Sequence, residues 1–227
     1  MVILCWAAKG GSGTTVVAAT LALSWTRPVL LVDLDGEQPT VMGMSASRSP
    51  GVLDWLASDA PPQHLADLTV EMAPQAMLLP FDEHPSSASR PGWASGPAAA
   101  SRHDDRWTLL AGWLTEQAIA GVDVIIDGGT GTPHHALAAA ADHCLLVTRP
   151  CYLSLRRAAQ APTRPSGVIL VDEPGHSVGG REVERATGAP IVATVSFDPA
   201  IARAVDAGLL TSRLPRNVSR QLRRIAA

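Results

Sequence analysis

Short apolar runs of four to six residues recur along this chain, separated by stretches with helical spacing. Val2–Ala7, Val29–Asp33, Met77–Pro80, Val122–Asp127, Cys144–Thr148, Gly167–Val171 and Ile191–Val195 read as strands, apolar enough to be buried on both faces. Thr14–Trp25, Gly51–Ala57, Asp105–Ala120, His135–Ala141, Leu153–Gln160, Arg181–Thr187, Ala200–Ala207 and Arg216–Ala226 read as helices. In the third of these, Trp107, Leu110, Ala111, Leu114 and Ala118 share one face. Buried strands alternating with helices define the α/β class: a mostly parallel, twisted sheet with helices on both faces. Ligands of such sheets bind beyond the carboxyl ends of the strands. Residues 8–15, Asp33, Asp35 and Asp127 are expected there.

The 227 residues suffice for one core, so a single domain over 1–227 is expected. A hydrophobic share of 46% excludes a disordered chain, and a net charge of -3 excludes one that coats nucleic acid over its whole surface. Phe81–Arg106 is rich in Pro, Ser, Ala and Gly and is expected to be a flexible surface loop. Cys5, Cys144 and Cys151 lack metal-ligand spacing; the first two lie in apolar runs and read as buried free thiols, which fits a reducing cytoplasm. The N-terminus lacks the basic region and long apolar run of a signal peptide, and no run approaches the length of a membrane span.

The first strand end carries 8-AKGGSGTTVVAATLALSW-25. Gly10, Gly11 and Gly13 follow the strand, with Ser12 among them, and Thr14 and Thr15 open a helix. Such glycines let backbone N–H groups point inward at an anion, and the helix N-terminus adds a favourable dipole. The stretch reads as a phosphate-binding loop. It departs from G-x-x-x-x-G-K-[ST], because Thr14 stands where the lysine belongs. Lys9 is the only lysine among 18 basic residues.

A lysine just ahead of the glycines, in K-G-G-x-G-T-T, resembles the deviant Walker A motif of the ParA/MinD family of P-loop ATPases. Further pieces match in order. 29-VLLVDLDGEQPT-40 is similar to the family's strand and first switch, and 122-VDVIIDGGTGT-132 to its Walker B strand and second switch. 144-CLLVTRP-150 is similar to the next core strand, and 188-GAPIVATVSFDPAIARAVDAGLL-210 to the strand and helix near the nucleotide base. The resemblance implies a P-loop NTPase domain that takes ATP or ADP with Mg²⁺. By it, Lys9 matches the signature lysine that reaches a dimer partner's nucleotide, and Lys9, Gly10, Gly11, Ser12, Gly13, Thr14 and Thr15 form the nucleotide loop. Thr15 matches the Mg²⁺-binding hydroxyl, and Asp127 the Walker B carboxylate that acts on Mg²⁺ through water. Asp35 matches the catalytic switch aspartate that orients water, and Asp33 stands with the metal-side carboxylates. The resemblance also implies a cytoplasmic homodimer that positions a protein cargo, such as septum, chromosome, or secretion or pilus machinery. Residues 180–210 especially resemble septum-site-determining and CpaE/TadZ-like members.

Two departures weaken nucleotide handling. Thr14 removes a cation from the phosphates; such a charge-assisted contact contributes roughly 1.5–3 kcal/mol, about tenfold to a hundredfold in affinity. Val171, followed by Asp172, stands where members often carry an adenine-reading Asn. A degenerate ATPase is therefore expected, with weak or absent binding and hydrolysis. The alternative is an active ATP-dependent dimerisation switch that uses Lys9. A Rossmann-type dinucleotide enzyme is the second alternative. Gly11-x-Gly13-x-x-Val16 follows a strand and Asp33 lies about 20 residues on, but Val16 stands where Gly or Ala is needed for close packing.

Other motifs carry less. 175-GHSVG-179 matches G-x-S-x-G, but no histidine follows His176 to complete the order Ser, acid, His. His134 and His135 are adjacent, share no helix face and belong to no HExxH, so they read as a solvated or packed pair rather than a metal site. The tail 213-RLPRNVSRQLRRIAA-227 has five arginines and no acid, with Val218, Leu222 and Ile225 on one face. That helix is expected to dock its apolar face on the core. The family resemblance offers instead a weak peripheral contact with anionic membrane or nucleoid DNA, which dimerisation would strengthen.

Overall fold

The computed structural model describes residues 1–44, 50–81, 97–175, 177–214, 216–222 and 225, and of 97–103 and 216 the backbone alone. β1 (Val2–Ala7) leads through the glycine loop into α1 (Thr14–Ser24), and β2 (Val29–Asp33) leads into a short α2 (Gln38–Met42). α3 (Val52–Ala57) and a 3₁₀ turn (Pro62–Leu68) precede the hairpin of β3 (Val70–Ala73) and β4 (Ala76–Leu79). α4 (Pro97–Ile119), β5 (Asp123–Thr130), α5 (His135–Ala140), β6 (His143–Thr148) and α6 (Tyr152–Gln160) follow. β7 (Gly167–Asp172), α7 (Gly180–Thr187), β8 (Ile191–Ser196), α8 (Pro199–Asp206) and α9 (Arg216–Leu222) complete the order.

The strands form one eight-stranded sheet in the order β3-β4-β2-β5-β1-β6-β7-β8. Only the edge pair β3–β4 is antiparallel among the described residues. Successive strand residues point to opposite faces, which explains why whole strands are apolar. From β1, Ile3 and Cys5 face a core shared with α1, α8 and α9, while Val2, Leu4 and Trp6 face a core shared with α3, α4 and α5. The α/β class with helices on both faces is the observed one.

The strand order excludes the dinucleotide-enzyme alternative. A Rossmann sheet pairs its first strand directly with its second. Here β5 lies between β1 and β2. Asp33 is also fully buried, so it offers no oxygen to a ribose.

Part of the expected loop at 81–106 is helical, because α4 begins at Pro97. Proline is tolerated in a first helical turn, and Ala98–Ala100 are the strongest helix formers. The remainder, residues 82–96, lies outside the described residues. Val218 and Leu222 of α9 are buried in the core against α1 and β8, so the tail docks its apolar face. Below the sheet, buried Asp123 accepts bonds from the Trp25 indole (2.8 Å) and the Met1 amino group (2.9 Å) and pairs with Arg27 (2.7 Å).

Candidate functional site

The carboxyl ends of β1, β2 and β5 meet at the switch point of the sheet, where helices leave toward opposite faces. The β1 end is the glycine loop. Gly11 has φ 75° and Gly13 φ 92°, a region side chains resist, so both positions suit glycine. Gly13 caps α1, whose first bond runs from the Val17 N–H to the Gly13 carbonyl at 2.9 Å. Amides ahead of that bond open the helix with no intrahelical acceptor. Buried Ser12 donates from Oγ to the Lys9 carbonyl at 2.7 Å and closes the loop.

No lysine enters this cradle. Thr14 is buried in the first turn of α1. Lys9 turns back and donates from Nζ to the Gly10 carbonyl at 3.2 Å. Its charge falls near Cys151, the N-cap of α6. Burial pushes the Cys151 thiol up, but hydrogen bonding with Ser154 and the charge of Lys9 outweigh it and hold the thiol below its ordinary value.

At the β2 end, Asp33 folds the turn into α2. Its Oδ1 accepts the amides of Asp35 (3.0 Å) and Gly36 (2.8 Å), and its Oδ2 accepts the amide of Gln38 (3.1 Å). Both Asp33 oxygens are thus engaged by backbone amides and buried from solvent. Burial pushes its pKa up to about 6 against those three bonds.

At β5, fully buried Asp127 accepts the Gly129 amide at 3.1 Å on Oδ1 and Gln38 Nε2 at 2.8 Å on Oδ2. Burial, then the charge of Asp33, pushes its pKa up to about 7. Gln38 Nε2 also donates to the Thr15 carbonyl at 3.0 Å. One amide thus joins the start of α1 to the end of β5, and the Gln38 backbone ties both to the β2–α2 turn. Gln38 was not singled out from sequence, although it lies inside the quoted 29–40 stretch. The end of β5 meets the β2–α2 turn at Gly129, φ 60°, where a Cβ would stand 2.4 Å from Asp35 Cγ. Thr15, Asp33, Asp35, Gln38 and Asp127 form one cluster, and Lys9 stands outside it.

A cavity of about 230 Å³ opens beside Gly13. Its walls are mostly aliphatic: Val16, Val171, Val195, Ile201, Val205 and Val218. Arg149, also missed from sequence, lies at this cavity, paired with Glu173 at 3.3 Å and placed over the Phe197 ring at 5.4 Å.

These residues fit a phosphate anion with a divalent cation. The loop supplies amides and a helix start for the anion. The cluster holds two buried carboxylates, with the charge of Asp33 raising the proton affinity of Asp127, and a buried Gln38 Oε1 without a hydrogen-bond partner among the described residues. A hydrated cation would supply both the missing positive charge and the missing donor.

A glycine loop between strand and helix, beside an acidic strand end in this strand order, defines an α/β domain of the P-loop NTPase fold. No protein-family model matches the chain, and no curated protein matches it. Solved structures do. The septum site-determining protein MinD complexed with Mg-ADP, from Pyrococcus horikoshii OT3, is 20% identical with a TM-score of 0.70 over 100% of this chain and 95% of that one. Apo McdA of Cyanothece is 19% identical with a TM-score of 0.73 over 100% and 99%. A ParA family ATPase from Chlorobium tepidum TLS is 19% identical with a TM-score of 0.67 over 97% and 96%. The chain has the fold of the MinD and ParA proteins.

Proposed function

We propose that this chain is a ParA/MinD-like positioning protein whose nucleotide site is degenerate, binding ATP or ADP weakly and hydrolysing ATP very slowly or not at all. One observation carries this reading: the anion cradle and the acidic cluster are assembled, yet the only lysine turns away from the cluster onto the Gly10 carbonyl. The aliphatic cavity beside Gly13, with Val171 in its wall, offers little to read a base edge. Nucleotide and Mg²⁺ in the site accord with the Mg-ADP held by the MinD neighbour and the ATP complex of a McdA neighbour.

In this reading the loop amides and the α1 start hold the phosphates. Thr15 and Asp127 hold Mg²⁺, Asp127 through water, and Asp35 orients the attacking water. Mg²⁺ neutralises charge that develops on the transferred phosphoryl group. Asp33 and Gln38 are positioning residues that fix the switch turn and orient Asp127. Without a lysine on the phosphates, the site lacks one stabiliser of that charge.

The cargo is a partner assembly such as septum, chromosome, or secretion or pilus machinery. A homodimer is proposed through the face bearing Lys9, where Tyr152 (74%) and Leu153 (44%) are exposed at the start of α6. A cytoplasmic setting, peripheral at membrane or nucleoid, follows from the same reading. No helix among the described residues is long and apolar enough to cross a membrane. With the apolar face of α9 docked, any contact with anionic lipid or DNA falls to its arginines.

Mg-ATP titration by calorimetry on the full chain, with Lys9→Ala beside it, tests this. A dissociation constant weaker than about 100 µM that Lys9→Ala leaves unchanged supports the degenerate site. Micromolar binding and dimerisation that Lys9→Ala abolishes would replace it with an active switch, in which Lys9 swings into the site.

A further inference from the structure

We propose that Asp104, His134 and His135 form a binding site for a divalent transition-metal ion, Zn²⁺ above all, that joins α4 to the start of α5. Asp104 stands on α4, and the two histidines stand 30 residues later at the start of α5. The adjacent histidines alone gave no metal spacing; the fold supplies the third ligand. One ligand atom from each of the three residues lies within 4.8 Å of the others. The His134 Nε2 to Asp104 Oδ1 distance is 3.0 Å. Donors bonded to tetrahedral zinc at about 2.0–2.2 Å stand roughly 3.3 Å apart, so this pair is already near that spacing. His135 is exposed, and rotation of its side chain closes the set.

The anchoring ring is preorganised. His134 is 17% exposed and stacks on Trp107 with centroids 5.1 Å apart and planes 13° apart. It also caps α5, its Nδ1 accepting the Ala136 amide at 3.3 Å. In the neutral ring Nε2 therefore carries the proton and donates to Asp104. Metal binding at Nε2 moves that proton to Nδ1, replaces the Nε2–Asp104 hydrogen bond with one metal bond from each partner, and releases the long bond from Ala136. Two imidazoles and one carboxylate suit zinc and its neighbours rather than Mg²⁺. Three protein ligands leave a position for water.

The place gives the ion a consequence. The adjoining cleft of about 380 Å³ is lined by Asp104, Trp107 and His134, and also by Leu34 and Gly128. Leu34 lies between Asp33 and Asp35, and Gly128 follows Asp127. An ion here ties α4 to the segment leaving β5, beside a cleft whose Leu34 and Gly128 adjoin the acidic cluster in sequence.

The test is a calorimetric titration of the chelator-dialysed full chain with ZnCl₂. We expect one equivalent bound with a dissociation constant of about 10 µM or tighter. His135→Ala and Asp104→Asn should each weaken it at least about tenfold, and Cys151→Ser should leave it unchanged. Co²⁺ in place of Zn²⁺ should give visible d–d absorption that His135→Ala removes. Because His135 is exposed, that variant keeps the fold, checked by circular dichroism. No binding at about 100 µM Zn²⁺, binding undiminished in His135→Ala, or binding lost in Cys151→Ser would each overturn the proposal.

Discussion

Gln38 shows what a single buried side chain can connect. Its Nε2 bonds both the Thr15 carbonyl and Asp127, and its backbone amide bonds Asp33, so one residue links all three strand ends. Gln38→Ala should cost about 1–3 kcal/mol, because it leaves a buried carboxylate oxygen and a carbonyl without a donor. Chemical denaturation measures this, and any Mg²⁺-nucleotide affinity should fall with it. The carboxylates themselves were legible in the sequence, since acids closing apolar strands stand out. Their division of labour was not. Asp33 and Asp35 are two residues apart, and only the turn geometry shows that one binds backbone while the other lies against Gly129. Asp104 and His134 are further still from legible, because nothing in a sequence pairs two residues 30 apart.

Among the elements, the C-cap of α2 packs closely on the turn that follows α8. A Cβ on Gly43, φ 68°, would stand 1.7 Å from the Gly208 carbonyl oxygen, and Thr211 Oγ1 donates to the Met42 carbonyl at 3.0 Å. Gly43→Ala should therefore destabilise by about 1–3 kcal/mol, through backbone strain and loss of that approach. A lowered Tm with the far-ultraviolet spectrum unchanged checks it. Strands buried on both faces were readable because burial leaves a continuous apolar run. β3 was not, since it is an edge strand of four residues, none of them fully buried. α2 was not, since five residues are too few for a helical period to declare itself. The start of α4 was misplaced because alanine-rich helix and small-residue loop look alike in composition.

At the scale of the molecule, buried acids of opposite behaviour set the response to pH. Asp33 and Asp127 bind protons more tightly folded than unfolded, with pKa values raised to about 6 and about 7. The stability they contribute is present in acid and is lost as pH rises through those values. Asp123 behaves the other way. Burial pushes it up, but bonds from Trp25 and the Met1 amino group and the charge of Arg27 hold it below the ordinary range. Its stabilisation is present above that range and is lost as pH falls. The ligand-free protein should be most stable at about pH 4, with Tm declining as pH rises to about 7. Asp127→Asn should flatten the alkaline decline. Thermal melts across pH, on both proteins, check these slopes.

The cavity beside Gly13 takes one wall from Val218, so it is built from both ends of the chain, more than two hundred residues apart. During synthesis the glycine loop emerges early, but this wall cannot exist until α9 has left the ribosome. A ligand of this cavity would therefore meet only molecules in which α9 has docked. Its binding would report that docking.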